Sequence, residues 1–317
     1  MNVSNSAEPW RDHYGHPCKW DQDFAALSLP DLFVSAVRDC PDAPLVEFYG
    51  RTFSYAALHA EAEDFACGLQ AMGIGKGDRI GLYLPNVPIY VPAYYGALMA
   101  GATVVNFSPL YTAEELETQV IDSGARLLVT VNLVRLLPTA LEVLCASPLE
   151  RLVVADFPAL LPRFKGLAFR LLSRRDLTPI PRADDVMTWR QALETGTPDP
   201  VTIDPLHDLA LLQYTGGTTG TPKGAMLSHQ NLSANARQVA AVDPHAQERD
   251  VILGALPLFH VFANTAVLNR TVVDRGCIAM LPKFDTAQIF ATIRRTRPTS
   301  FPGVPTMFQA LLDDPRL

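Results

Sequence analysis

Residues Tyr214 to Gly224 read Y-T-G-G-T-T-G-T-P-K-G, directly after the apolar run Leu209-Ala210-Leu211-Leu212. A loop of this composition has little side-chain bulk to shield its backbone. Gly216, Gly217, Gly220 and Gly224 tolerate φ > 0, so main-chain N–H groups can converge on an anion. Thr215, Thr218, Thr219 and Thr221 add hydroxyl donors, and Lys223 adds a mobile positive charge. Together these parts suit a polyphosphate. The order differs from the nucleotide loop in which Gly-Lys-Ser/Thr runs straight into a helix. Here Pro222 precedes the lysine and Gly224 follows it. A flexible threonine–glycine linker is the plain alternative. Linkers rarely end in Pro-Lys-Gly, followed by a capped helix start such as Ser228-His229-Gln230-Asn231.

Working outward, the first half alternates helix-like and strand-like segments. Ser28-Leu29-Pro30-Asp31 opens a helix that ends near Arg38. Leu45–Tyr49 and Thr52–Ser54 read as a hairpin around Gly50-Arg51. Leu58, Ala62, Phe65 and Leu69 carry helical spacing up to Gly73. Thr112-Ala113-Glu114-Glu115 is a capping box for a helix that stops at Gly124. Leu127–Val131 and Leu152–Ala155 are strand candidates. Beyond the loop, the pattern predicts a helix from Ser228, strands Val251–Ala255 and Cys277–Leu281, and a helix over Thr286–Thr296. This rhythm predicts an α/β fold of mostly parallel sheets with covering helices, in two βαβ-type subdomains, the second incomplete. The expected division is 1–205 and 206–317, with a Pro-rich connector over 179–205.

Composition narrows the function classes. The chain has 317 residues, 48% hydrophobic and 19% charged, enough for a sizeable core in one large or two ordinary domains. A formal net charge of -7 argues against nucleic acid as a bulk electrostatic partner. Five cysteines lie without C-x-x-C spacing, which suits a reducing cytoplasm and gives no metal site. Ile80–Tyr111 carries no charge and is long enough to span a bilayer. Pro85, Pro88, Pro92, Gly96 and Gly101 divide it, so strand, buried helix and strand are expected instead.

Two further segments stand out. Phe157–Arg175 carries Arg163, Lys165, Arg170, Arg174 and Arg175 and no acid, among leucines and phenylalanines. It reads as a solvated surface insertion or as a peripheral contact with anionic lipid; Pro162 and Gly166 weaken a continuous helix there. Pro257-Leu258-Phe259-His260-Val261-Phe262-Ala263 places a histidine among aromatics, the usual setting of a packed core residue.

The Tyr214–Gly224 segment resembles the phosphate-binding signature of the adenylate-forming (AMP-binding) superfamily, which includes acyl-CoA synthetases, peptide-synthetase adenylation domains and luciferases. The resemblance runs from the helix near Ser28 to Leu317 and is best to the fatty-acyl-CoA synthetase branch. It implies that Thr215, Gly216, Gly217, Thr218, Thr219, Gly220 and Lys223 hold the ATP phosphates. Lys223 and Mg²⁺ would stabilise charge when a carboxylate attacks the α-phosphorus. It implies that His260 gates or walls the acyl pocket, and that Gly303, Val304 and Pro305, within Phe301–Thr306, border it. A plain strand-to-helix turn is the alternative for that last segment.

ATP, Mg²⁺ and CoA are the expected cofactors and co-substrates, and a fatty acid or other carboxylate is the expected substrate. The expected place is the cytoplasm, with a peripheral contact at the inner face of the membrane through 157–175. Three expected family features find no match here. These are a Tyr-Gly-x-Thr-Glu segment, an aspartate for the ribose and a C-terminal domain with the adenylation lysine. Two readings follow. One is an ATP-dependent acid–CoA ligase. The other is a catalytically incompetent phosphate-binding remnant or half of a split enzyme. The adenylation domain of another carboxylate-activating enzyme is a variant of the first.

Overall fold

In the computed structural model, residues 9–215, 222–243 and 249–317 are described. The strands are β1 Pro44–Phe48, β2 Arg51–Ser54, β3 Arg79–Leu82, β4 Thr103–Asn106, β5 Leu127–Val131, β6 Arg151–Ala155, β7 Val186–Thr188, β8 Leu209–Thr215, β9 Lys223–Ser228, β10 Val251–Gly254 and β11 Cys277–Met280. They form a seven-stranded sheet in the order β7-β6-β5-β3-β4-β8-β9 and a four-stranded sheet in the order β10-β11-β1-β2. Only the β8–β9 and β1–β2 pairs among them are antiparallel. Strands buried on both faces read as unbroken apolar runs, as Leu127–Val131 does, and all five of its residues are buried.

The helices are α1 Leu29–Asp39, α2 Tyr55–Ala71, α3 Tyr90–Met99, α4 Ala113–Ser123, α5 Leu137–Ala146, α6 Phe157–Leu160, α7 Arg163–Leu172, α8 His229–Ala241, α9 Val261–Ala263, α10 Arg270–Asp274, α11 Thr286–Thr296 and α12 Pro305–Leu312. Their starts follow local chemistry. Ser28 and Ser54 accept from backbone N–H groups of α1 and α2. Thr112 with Glu115, and Ser228 with Asn231, close capping boxes. Gly124 ends α4 in the left-handed region at φ 64°.

The uncharged segment resolves as expected into β3, α3 and β4. Every residue from Tyr90 to Leu98 is buried; a helix apolar all round sits in the core of a large domain or in a bilayer. Among the described residues no helix is long and apolar enough to cross a membrane.

Three expectations need correction. The sheets do not divide at residue 205. The β1–β2 hairpin joins β11 and β10, with Val46 opposite Ile278, and β8 joins β4, with Leu211 opposite Val104. Strands choose partners by the apolar surface each must cover, and neither half of the chain closes its own sheet. The connector over 179–205 holds β7, which caps the edge of the large sheet, and a short 3-10 helix at Trp189–Ala192. The step from the glycine-rich segment to helix α8 contains a further strand, β9, whose mixed exposure leaves little apolar alternation to read.

Candidate functional site

The β8–β9 hairpin carries the glycine-rich segment. Thr215 pairs with Lys223, and Tyr214 with Gly224. Both Thr215 and Lys223 are exposed at the open end. Gly216, Gly217, Thr218, Thr219 and Gly220 lie outside the described residues, and so does Thr221. The root of the loop is firmly seated. Tyr214 is buried, its ring stacks 6.4 Å from that of Phe107, and its hydroxyl donates to Asp122 Oδ2 at 2.5 Å. Burial and that carboxylate both hold the phenol protonated.

A line of buried amides and a phenol runs from this hairpin to the histidine segment. Asn106 Nδ2, at the end of β4, donates to Gln213 Oε1 at 3.4 Å. Tyr90 Oη donates to Asn106 Oδ1 at 2.7 Å and lies 3.0 Å from the Leu258 carbonyl. Asn86 completes the link. Its Nδ2 donates to the carbonyls of Gly254 and Leu256 at 3.2 and 2.8 Å, and its Oδ1 accepts from Leu258 N–H at 2.8 Å. Asn86 follows β3 of the large sheet; Gly254 ends β10 of the small one. The C-terminal ends of both parallel arrays therefore meet at one side chain. Ligands of open parallel sheets bind at such ends.

His260 follows directly. It is exposed, with its ring 4.4 Å from that of Phe259. Desolvation lowers its pKa and favours the neutral imidazole. Its carbonyl accepts from Asn264 N–H at 2.9 Å. The chain then enters a π-helical turn, Asn264–Asn269, a form frequent at functional sites. Tyr95 Oη donates to Asn269 Oδ1 at 2.8 Å, and Asn269 Nδ2 donates to Asn264 Oδ1 at 2.8 Å.

The third segment arrives at the same end. Ser300 bridges to Ile252 in parallel, and Leu253 N–H donates to Ser300 O at 2.8 Å. Phe301 to Thr306 thus leaves beside the end of β10. Val304 and Pro305 are exposed where α12 begins. Gly303 is a close approach: a Cβ there would lie 2.7 Å from Phe308 Cζ.

The described parts of the three motifs lie at the end of the β8–β9 hairpin, after β10, and beyond the Ser300 bridge to β10, the first two linked by the hydrogen bonds through Asn106, Tyr90 and Asn86. Local patterns could not reveal Asn86, Tyr90, Asn106 and Gln213, the residues that join them. Each lies on a different element, and its partner is set only by tertiary pairing. Among the described residues no group of three or more His, Cys, Asp or Glu converges as a metal site. A hard cation accompanying a polyphosphate takes its oxygens largely from phosphate and water.

The chain is thus an α/β protein of mostly parallel sheets, and the AMP-binding enzyme family matches residues 33–317. The chain belongs to that family. A long-chain-fatty-acid–CoA ligase of Bacillus subtilis (strain 168) is 34% identical over 317 residues, covering 98% of this chain and 56% of the relative. A ligase of the same name from Escherichia coli O6:H1 is 34% identical over 300 residues, covering 90% and 52%. Among solved structures, a long-chain-fatty-acid-CoA ligase from Archaeoglobus fulgidus superposes with a TM-score of 0.74 at 25% identity, covering 92% of this chain and 54% of that one. An anthranilate CoA ligase bound to anthranoyl-AMP shares the fold, with a TM-score of 0.77 at 19% identity and coverage of 92% and 52%. The chain spans about half the length of the curated relatives it matches.

Proposed function

We propose that this chain supplies the phosphate-binding hairpin and part of the acyl-site wall for ATP-dependent activation of a long-chain fatty acid. The carboxylate oxygen attacks the α-phosphorus, the α–β phosphoanhydride bond breaks, and acyl-adenylate and pyrophosphate form. A CoA thiol then attacks the acyl carbon and AMP departs. In this reading Thr215, the glycines and threonines of 216–220 and Lys223 hold the phosphates. Lys223 offsets charge that grows on the departing pyrophosphate. His260, neutral and set among apolar groups, serves as a wall or gate, and Gly303, Val304 and Pro305 border the same pocket. ATP, Mg²⁺ and CoA are the partners the reading requires. The cytoplasm, with segment 157–175 within reach of a bilayer, is the matching location.

The observation that carries the reading is the hairpin. It presents Thr215 and Lys223 side by side at the carboxyl ends of parallel strands, tied through Tyr90 and Asn86 to the His260 segment. The test is titration of the full chain with ATP and Mg²⁺, alongside pyrophosphate release with and without a long-chain acid. Saturable ATP binding that Lys223→Ala weakens supports the assignment. Equal binding by the variant and the parent chain refutes it.

A further inference from the structure

Helix α7 is turned the wrong way for a helix packed on a water-soluble domain. Phe164, Leu167, Leu171 and Leu172 are 90%, 58%, 71% and 86% exposed. They recur at the spacing of one helical stripe, and Ala168 lies within it. The face toward the protein holds Gly166, where a Cβ would lie 2.4 Å from Pro158 O, and Phe169, whose ring sits 5.2 Å from that of Phe157. A glycine thus lets the helix lie close against α6 while its larger apolar side chains face outward. Sequence alone expected Gly166 to weaken the helix; its place at this contact explains why the helix persists.

Cations flank the stripe on both sides. Arg163 and Lys165 border it, and Arg174 and Arg175 follow its end. All four are exposed. Lys165 donates to Tyr49 O at 2.8 Å, and Arg170 is paired with Asp156. Arg163, Arg174 and Arg175 make no side-chain hydrogen bond or ion pair with any described residue. This free positive charge stands out on a chain whose net charge is -7. Behind the helix, an open groove of about 690 Å³ lined by Arg51, Arg163 and Arg170 extends the positive rim to the β1–β2 turn.

We infer that α7 is an interfacial helix that seats this chain on an anionic bilayer. Phe164, Leu167, Leu171 and Leu172 enter the headgroup–acyl boundary, and Arg163, Lys165, Arg174 and Arg175 lie among the lipid phosphates. An apolar stripe between basic flanks is the signature of helices that lie in the membrane plane. Charge complementarity selects lipid over a second copy of the chain. Two copies joined through this stripe would bring their own cations together, whereas an anionic leaflet meets stripe and rim at once. The purpose of the surface rests on the fatty-acid reading, because a long-chain acid partitions into bilayers; its geometry does not.

The test is co-sedimentation of the full chain, without nucleotide or acid, with two kinds of vesicle. One is phosphatidylcholine alone; the other is equimolar phosphatidylcholine and phosphatidylglycerol. The chain is expected to bind the anionic vesicles and to release as salt rises, since screening shortens the reach of surface charge. Each basic residue near such a surface is worth about fivefold in partitioning. The triple variant Arg163→Gln/Arg174→Gln/Arg175→Gln should therefore bind about a hundredfold more weakly. Phe164→Ser/Leu171→Ser/Leu172→Ser should also lose binding, and this loss should persist at low salt. All six positions are exposed, so circular dichroism and the thermal midpoint should match the parent chain. Absent binding at low salt, or binding by both variants equal to that of the parent chain, overturns the inference. So does a dimer that the serine variant converts to monomer without any vesicle binding. Vesicle binding with no adenylation would leave the surface standing and sink the catalytic reading alone.

Discussion

Replacing Asn86 by Ala removes a side chain that, together with Tyr90, joins the ends of the two sheets. Its amide makes three hydrogen bonds, to the Gly254 and Leu256 carbonyls and from the Leu258 N–H, at 3.2, 2.8 and 2.8 Å. Asn86 is buried, so its loss leaves these backbone groups without a partner. A net contribution of about 1 kcal/mol per bond gives a loss of ~3 kcal/mol, and buried orphaned groups push it no lower. That is a large share of the ~5–15 kcal/mol that holds a typical domain. Urea unfolding of the parent and variant chains measures the difference, provided two probes give coincident transitions. Hydrogen exchange adds a local readout, because Leu258 N–H should lose protection more than amides of β5. Asn86→Asp keeps the acceptor for Leu258 but turns a carboxylate toward two carbonyls. It should be at least as unstable near neutral pH and recover partly in acid, where the protonated group donates again. A loss below about 1 kcal/mol, with Leu258 exchange unchanged, would refute the view that Asn86 fixes the two sheets together.

Lys223→Ala should slow adenylation by about 10²–10³-fold, the scale of losing one transition-state donor; it is read by pyrophosphate release in the complete catalytic assembly, and unchanged release refutes the role. Arg270 is buried between Asp243, Asp250 and Asp274, with Asp250 and Asp274 at 2.9 and 3.2 Å. Arg270→Ala takes the guanidinium away from Asp250 and Asp274 and should cost about 3–5 kcal/mol by denaturant unfolding. His229 is buried, and its Nδ1 accepts from Leu29 N–H at 3.3 Å. Desolvation lowers its pKa from 6.5 to about 4, against the pull of Asp208 and Asp31. Between those values the unfolded chain binds the proton that the folded chain refuses. Stability is therefore full above pH 6.5 and falls by about 3 kcal/mol as pH drops toward about 4. His229→Gln, which keeps an acceptor, should flatten that part of the stability–pH curve; an unchanged slope would assign the acid sensitivity to other groups.

Much of the fold was legible because it is locally encoded. Ser28, Thr112 and Ser228 mark helix starts within a few residues of their partners, and Gly124 marks an end. The hairpin itself was legible, but its turn sits one residue earlier than the sequence placed it, at Tyr49–Gly50 rather than Gly50-Arg51, because both turn residues take positive φ, 54° and 100°. The Tyr214–Gly224 composition suggested an anion-binding loop, since backbone freedom and hydroxyl donors are properties of the residues themselves. The uncharged Ile80–Tyr111 segment was divided correctly by its prolines and glycines.

Tertiary structure decided what distant surfaces had to settle. Val46 finds Ile278, and Leu211 finds Val104, because each strand needs covered neighbours and the chain supplies them from far away in sequence. That pairing interleaves the halves that composition had separated at residue 205. It also brings Asn86, Tyr90, Asn106 and Gln213 into one hydrogen-bonded line, although none belongs to a motif. The same holds for α7. Sequence showed leucines, phenylalanines and arginines together; only packing of Gly166 against Pro158 decided that the apolar side would face outward. Local chemistry sets which elements form, whereas burial and pairing across the whole chain set which faces meet and which remain exposed.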